Sequence, residues 1–289
     1  MSYQSIFRPD LFKHQVVIIT GGGSGIGRCT AHELSALGAS VALVGRKRDK
    51  LEKVATEIAK QGGTASVHVC DIREEAQVKD TVAAVLQQHT RIDGLVNNAG
   101  GQFAAPLAEI SVRGWDAVVR TNLTGGFLMA RECYTLWMKA HGGAIVNILA
   151  DMWMGMPGMA HSGAARAGML NFTETAALEW APVRSNAVAP GWIASSGMDN
   201  YPPDMASMIQ HIHKLVPLHR LGSESEVSAA IVFLLSPAAA FISGACLRID
   251  GAAPNAKRIS PQVGTGESNQ VFNGFHLAEL PNVLKPSSS

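Results

Sequence analysis

Hydrophobic residues follow two rhythms along this chain. Residues 16–19, 40–44, 65–69, 94–96, 144–148 and 184–188 form short apolar runs with little polar alternation. A strand apolar on both sides is buried on both faces, so these runs predict a parallel sheet covered above and below. Between them, residues 28–37, 50–61, 75–88, 114–136 and 162–180 carry the apolar spacing of helices. Residues 223–235 predict a further helix, with Ser223 as N-cap and Pro237 closing it. Strand and helix in alternation make an α/β, doubly wound fold, a central parallel sheet flanked by helices on both faces. In that arrangement ligands sit at the carboxyl ends of the strands.

No repeat and no linker divides the first 250 or so residues, so one domain is expected over residues 1–251. Residues 252–289 turn rich in Pro, Asn, Ser and Gly. Such a tail is either disordered or pinned to a neighbouring subunit by Phe272, Phe275 and Leu277. The net charge of +1 gives no reason to expect nucleic acid or a membrane surface as partner. Four scattered cysteines without a C-x-x-C pair predict neither a metal site nor a disulfide framework. The start of the chain lacks an apolar signal region, no run approaches the ~18 residues of a membrane span, and the last residues are not a peroxisomal address. A cytoplasmic protein is the expectation.

The first strand runs into Thr20-Gly21-Gly22-Gly23-Ser24-Gly25-Ile26-Gly27, and a helix follows. Glycines in that position let the backbone turn tightly and approach a pyrophosphate, which then faces the free N–H groups of the helix start. With a strand before it and a helix after it, the motif predicts a dinucleotide site of the Rossmann type.

The spacing Thr-Gly-x-x-x-Gly-x-Gly resembles that of the short-chain dehydrogenase/reductase family, and the resemblance runs over residues 13–251. It implies that Gly21, Gly23, Ser24, Gly25, Ile26 and Gly27 cradle the phosphates. Asp71 and Ile72, after the third strand, would flank the adenine. Asn98, Ala99 and Gly100, within Asn97-Asn98-Ala99-Gly100, would back the sheet and ribose. Asn122, within Thr121-Asn122-Leu123-Thr124-Gly125, matches an asparagine of the family's catalytic set. Pro190, Gly191 and Ile193 match the loop beside the nicotinamide. The second strand ends Val44-Gly45-Arg46-Lys47-Arg48. An acid there would bind free ribose hydroxyls, whereas a basic cluster suits the extra phosphate of NADP. Arg46 is the first choice for that phosphate; a solvated basic turn is the alternative.

The family's tyrosine and lysine are both replaced. Ser162 stands where the tyrosine is expected and Arg166 where the lysine is, four apart on one helix face. The strand-five serine should lie near Leu149 or Ala150, and neither can donate a proton. Arg166 can hold ribose hydroxyls and supply positive charge but does not readily release a proton. Tyr201, His161 and Asp151 are the substitute acids within reach, each with an ordinary loop or helix role as its alternative. The segment 151–159, with four methionines and a tryptophan, reads as a loop whose adaptable apolar side chains suit an acyl chain or fill the core.

The Ser162/Arg166 pattern, with Gly100-Gly101-Gln102-Phe103 and residues 161–168, looks like the trans-2-enoyl-CoA reductase branch of the family; the 2,4-dienoyl-CoA reductases resemble it less closely. That resemblance implies NADPH-dependent reduction of the conjugated C=C bond of an acyl thioester, with Ser162 donating to the thioester oxygen and Asn122 ordering a water. Leu170 departs from the pattern, since a tyrosine is expected there. A carbonyl or alcohol oxidoreductase with a substitute acid, and an NADP-binding protein without turnover, are the alternatives. The family also implies a homotetramer, built on the helices at 114–136 and 162–180.

Overall fold

The computed structural model describes residues 2–201, 205–255 and 270–285. Six of its strands fall on the six apolar runs: β1 (Val16–Thr20), β2 (Ser40–Gly45), β3 (Thr64–Val69), β4 (Gly94–Asn97), β5 (Ala144–Ile148) and β6 (Arg184–Pro190). They join β9 (Cys246–Ile249) in one parallel sheet of order β3-β2-β1-β4-β5-β6-β9. That seventh strand did not stand out in the sequence. It is half-buried at the sheet edge and interrupted by the exposed Arg248. A two-residue pairing of β7 (Ile193–Ala194) with β8 (Gly222–Ser223) stands apart from the sheet.

Helices alternate with the strands as expected. They are α1 (Gly25–Ala36), α2 (Arg48–Ala59), α3 (Glu75–His89), α7 (Ala160–Glu179), α8 (Ala206–His211) and α9 (Glu224–Leu235). The helix expected at 114–136 is a longer continuous run. It comprises α4 (Val112–Val119), α5 (Gly125–Cys133) and α6 (Lys139–His141), joined by π turns at Arg120–Thr124 and Tyr134–Met138. Ser223 caps α9 in a reciprocal box with Glu226, the Ser-x-x-Glu spacing doing what it does at a helix start. Among the described residues no helix is long and apolar enough to cross a membrane.

The unbroken apolar runs have a simple cause. Successive side chains of a strand face opposite sides, and here both sides are core. Val17 and Ile19 of β1 pack with Leu34 of α1, Val54 of α2 and Ile231 of α9. Val16 and Ile18 pack on the other face with Val82 of α3 and Met129 of α5. Burying each such side chain contributes about 1.5–3 kcal/mol, so the sheet is rigid enough to fix the loops at its carboxyl edge.

The described part of the tail, 270–285, folds back on its own chain. Phe275, expected in a disordered tail or as an anchor on another subunit, is buried against Tyr3 and Cys29. The Gly274 carbonyl accepts from Gln4 N at 2.8 Å, and Phe275 N donates to Ser225 Oγ at 3.1 Å. The Phe275 ring packs beside α1, 5.1 Å from the His32 ring and 5.9 Å from the Tyr3 ring, with Arg28 over its face. Residues 256–269 and 286–289 of that tail lie outside the described residues.

Candidate active site

The glycine motif forms the turn between β1 and α1. Gly21 has φ +66, and its N–H donates to Val44 O at 2.8 Å. A Cβ on Gly21 would come within 2.8 Å of Asn98 Nδ2, and one on Gly27 within 2.5 Å of the same atom, so the turn admits no side chain at either position. Asn98 Nδ2 donates to Thr20 O at 2.9 Å, while the N–H groups of Asn98 and Ala99 donate to Thr20 Oγ1 at 3.0 and 2.9 Å. Asn98 and Ala99 thus brace the turn from behind. Ser24 is extended and makes no side-chain cap, which leaves the first N–H groups of α1 without a side-chain partner. Ile26 is half-buried and packs against the core beside the sheet.

Next to this turn lies a cleft of about 210 Å³, lined by Gly21, Ser24, Arg46, Asp71, Ile72 and Gly100 among others. The structure therefore brings together the phosphate turn, the end of β2 and the ends of β3 and β4. Arg46 is exposed on its rim. Arg73, which the sequence did not single out, lines the same cleft and clamps Asp71, Nε to Oδ1 at 2.9 Å. That ion pair, ahead of the opposing effect of burial, holds the Asp71 carboxyl below the usual carboxylate range. The signal for Arg73 was the Asp-x-Arg spacing alone, too common to be read.

At the centre of the sheet edge, α7 carries Ser162 and Arg166, both buried. Arg166 Nη1 donates to the carbonyl of Ile148, the last residue of β5. Its Nη2 lies under Gly100, where a Cβ would approach to 2.5 Å. Its Nε has no hydrogen-bond partner, and among the described residues it has no carboxylate partner. Burial lowers its pKa to about 10, still far enough above neutrality to keep the guanidinium charged. A buried unpaired cation is costly unless something bound beside it accepts its hydrogen bonds. A ribose held beside it would meet that need.

Asn122 sits in the π turn before α5 and gives both ends of its amide to Gly101. Nδ2 donates to Gly101 O at 2.7 Å, and Oδ1 accepts from Gly101 N at 3.0 Å. The residue expected to order a water thus shapes the loop over Arg166. Beneath it, Asn97, Asn147 and Thr173 form a buried chain (Asn97 Nδ2 to Asn147 Oδ1 2.9 Å, Asn147 Nδ2 to Thr173 Oγ1 2.9 Å) that ties β4, β5 and α7.

Ser162 Oγ donates to Gln102 Oε1 at 2.7 Å, and Gln102 Nε2 donates to the Tyr201 hydroxyl at 2.9 Å. Tyr201, one of the substitute acids considered from the sequence, is linked to Ser162 through Gln102. Burial pushes its phenol up, with the Gln102 bond opposing. Leu149 is buried and Ala150 half-buried, so the end of β5 offers no side-chain hydroxyl. Asp151 has a buried Oδ1 without a partner. Burial, and then Asp250, push its carboxyl up. His161 packs edge-on against Phe103 at 4.4 Å, and its Nδ1 accepts from Ser162 N, which turns it away from the Ser162 hydroxyl.

Pro190 and Gly191 form the neighbouring wall. Pro190 O accepts from Asp151 N at 3.1 Å, and Gly191 N donates to Ile249 O at 2.9 Å. Ile193 is buried in the core and fixes the loop. The methionine-rich segment is a loop, as expected. Met152, Met156 and Pro157 line an apolar groove of about 370 Å³ along Ala160 and Gly163, on either side of Ser162 in α7.

The fold has known counterparts. A family profile described as Enoyl-(Acyl carrier protein) reductase matches residues 21–252. The chain is a short-chain dehydrogenase/reductase. It is 35% identical over 242 residues to a Bacillus subtilis protein named as a 2,4-dienoyl-CoA reductase, (2E)-enoyl-CoA-producing, covering 82% of this chain and 95% of that one. A 3-oxoacyl-[acyl-carrier-protein] reductase of Synechocystis is 37% identical over 243 residues, 82% and 96% of the two chains. Among solved structures, the citronellol catabolism dehydrogenase AtuB of Pseudomonas aeruginosa PAO1 superposes with a TM-score of 0.79 at 61% identity, over 87% of this chain and all of that one. The protein is therefore an oxidoreductase of this family, with the seven-stranded parallel sheet of its solved members.

Proposed function

We propose that this short-chain oxidoreductase uses NADPH to reduce the C=C bond of an enoyl thioester. The observation that carries the reading is the pair on α7. A serine and a buried, unpaired guanidinium stand where a carbonyl reductase of this family needs a tyrosine and a lysine. A ketone becomes an alkoxide, a strong base that needs a positioned acid. A conjugated thioester becomes an enolate, whose charge is spread and which needs a nearby cation or hydrogen-bond donor.

Bound NADPH would supply the hydride. The Gly21–Gly27 turn and the start of α1 would hold its phosphates, and Arg166 Nε and Nη2 its ribose. Arg46 would meet the 2′-phosphate, with Arg73 adding a second guanidinium to the same cleft. Arg166 also contributes positive charge at the end of β5, where the developing enolate needs it. The groove lined by Met152 and Met156 would take the acyl chain and exclude water from it. Kinship with proteins named as 2,4-dienoyl-CoA reductases supports this substrate class.

One observation favours a second reading. The 61%-identical relative is titled a citronellol catabolism dehydrogenase, which supports alcohol–carbonyl chemistry on an acyclic apolar substrate. Absorbance of NADPH followed with a trans-2-enoyl-CoA and with the matching 3-ketoacyl-CoA separates the two. The family's acid beside the carbonyl oxygen is missing at Ser162, whose hydrogen goes to Gln102, and at the end of β5. Losing an acid at that oxygen costs about 10²–10⁴-fold, so the enoyl substrate should turn over at least about tenfold faster. A faster ketoacyl rate, or oxidation of citronellol with NADP⁺ that outpaces both, would favour the second reading.

A further inference from the structure

We propose that the Tyr201 phenol is the proton donor of the reaction, aimed by Gln102, whose amide is in turn oriented by Ser162. The identity of the proton acceptor rests on the enoyl-thioester reading; the identity of the donor rests on the hydrogen-bond chain.

The chain has a direction. Ser162 Oγ donates to Gln102 Oε1, which turns the amide so that Nε2 faces Tyr201 and donates to its oxygen. The phenol therefore accepts from Gln102 and keeps its own hydrogen for another acceptor. The donated N–H stabilises a phenolate, so the group gains acidity from the same contact that orients it. Burial keeps the phenol protonated at neutral pH. Ser162, at the family's tyrosine position, is by this geometry a positioning residue.

Tyr201 is also held from other sides. Its ring lies 6.5 Å from that of Trp192, beside Gly191. Two residues earlier, Asp199 accepts from Val283 N at 3.1 Å and from Asn282 Nδ2 at 3.3 Å, both from the C-terminal tail. Met198 is buried. Neither other candidate is joined to the Ser162 hydroxyl: His161, on α7 itself, accepts only from the Ser162 backbone N–H. Asp151 feels Asp250 and Arg248 at the end of β9, and His161 faces Phe103.

In the step assigned to Tyr201, its O–H bond breaks and a C–H bond forms at the substrate α carbon, using the electron pair released from the C=C bond. Bound NADPH would supply the hydride for the β carbon and be oxidised to NADP⁺. The phenolate then recovers a proton from solvent.

The test compares Tyr201→Phe, Gln102→Leu, Ser162→Ala and Asp151→Asn by steady-state kinetics, NADPH affinity and phenolate absorbance. Tyr201→Phe should lose about 10²–10⁴-fold in kcat while KM and NADPH affinity stay close to wild type. Gln102→Leu and Ser162→Ala should lose less. The difference titration, wild type minus Tyr201→Phe, isolates the Tyr201 phenol, and Gln102→Leu should move its ionisation to higher pH. A Tyr201→Phe enzyme with wild-type kcat, or a loss confined to Asp151→Asn, would overturn the proposal. If the wild type oxidises citronellol but leaves the enoyl thioester unreduced, the substrate reading falls. The same variants measured on the alcohol then judge Tyr201 as the group that exchanges the proton. A wild type that binds NADPH and turns over neither substrate would end both.

Discussion

The proposed cofactor preference rests on two side chains. Arg46 and Arg73 present two guanidinium groups to one cleft, and removing one charge-assisted phosphate contact costs about 1.5–3 kcal/mol. Titration of Arg46→Ala should show NADPH affinity falling by roughly ten- to a hundred-fold and NADH affinity little changed. Equal affinity of the wild type for the two would refute the assignment. Glu224 adds a pH dependence. It lies beside the phosphate turn, its Oε1 3.7 Å from where a Cβ of Gly25 would be. Burial raises its pKa to about 7, with Arg28 opposing and Glu279 adding to the rise. The carboxyl is neutral below that value and ionised above it, and the ionised form repels a pyrophosphate. NADPH affinity should therefore fall as pH rises through about 7, and Glu224→Gln should flatten that limb; a flat wild-type profile would contradict this. Gly21, Ser162 and Arg166 were legible because a turn and a helix fix their spacing. Gln102 and Glu224 were not, because their roles depend on contacts between segments 60 and 199 residues apart (102 to 162, 25 to 224).

Among the elements, those whose two sides meet a core announced themselves. β1, β2 and β5 are apolar at nearly every position because both faces are covered, and Ser223 marked the start of α9 by its local cap. β9 was hidden by its edge position and Arg248. The tail was hidden because its composition reads as loop and only tertiary packing orders it. Phe275 carries that packing, 2% exposed between α1 and α9, with Arg28 over its ring at 5.2 Å. Phe275→Ala should cost about 3–5 kcal/mol, read as a lower midpoint in urea with the slope unchanged. It should also loosen the Asn282–Asp199 tether and so lower kcat; an unchanged midpoint would show that the tail is not part of the folded unit.

At the scale of the whole molecule, a parallel sheet collects every functional loop at one edge, which is why scattered motifs converge on Arg166. The same architecture leaves apolar side chains outside the core. Leu178 of α7 is 82% exposed, Phe241 fully so, and Val112 at the start of α4 is 77% exposed. A stable assembly would bury roughly 2,000 Å² or more per interface, and a homotetramer, or at least a dimer, is the expected state. Sedimentation showing only a 30.5 kDa species at micromolar concentration would exclude it.

The central claim concerns which bond receives the hydride, and a labelled cofactor reads that directly. The enzyme is given NADPH deuterated at the transferred position, together with equal amounts of a trans-2-enoyl-CoA and the matching 3-ketoacyl-CoA, and the products are examined by NMR. The account predicts deuterium at the β carbon of a saturated acyl-CoA, with little labelled 3-hydroxyacyl-CoA. Deuterium found chiefly on the carbinol carbon would contradict it.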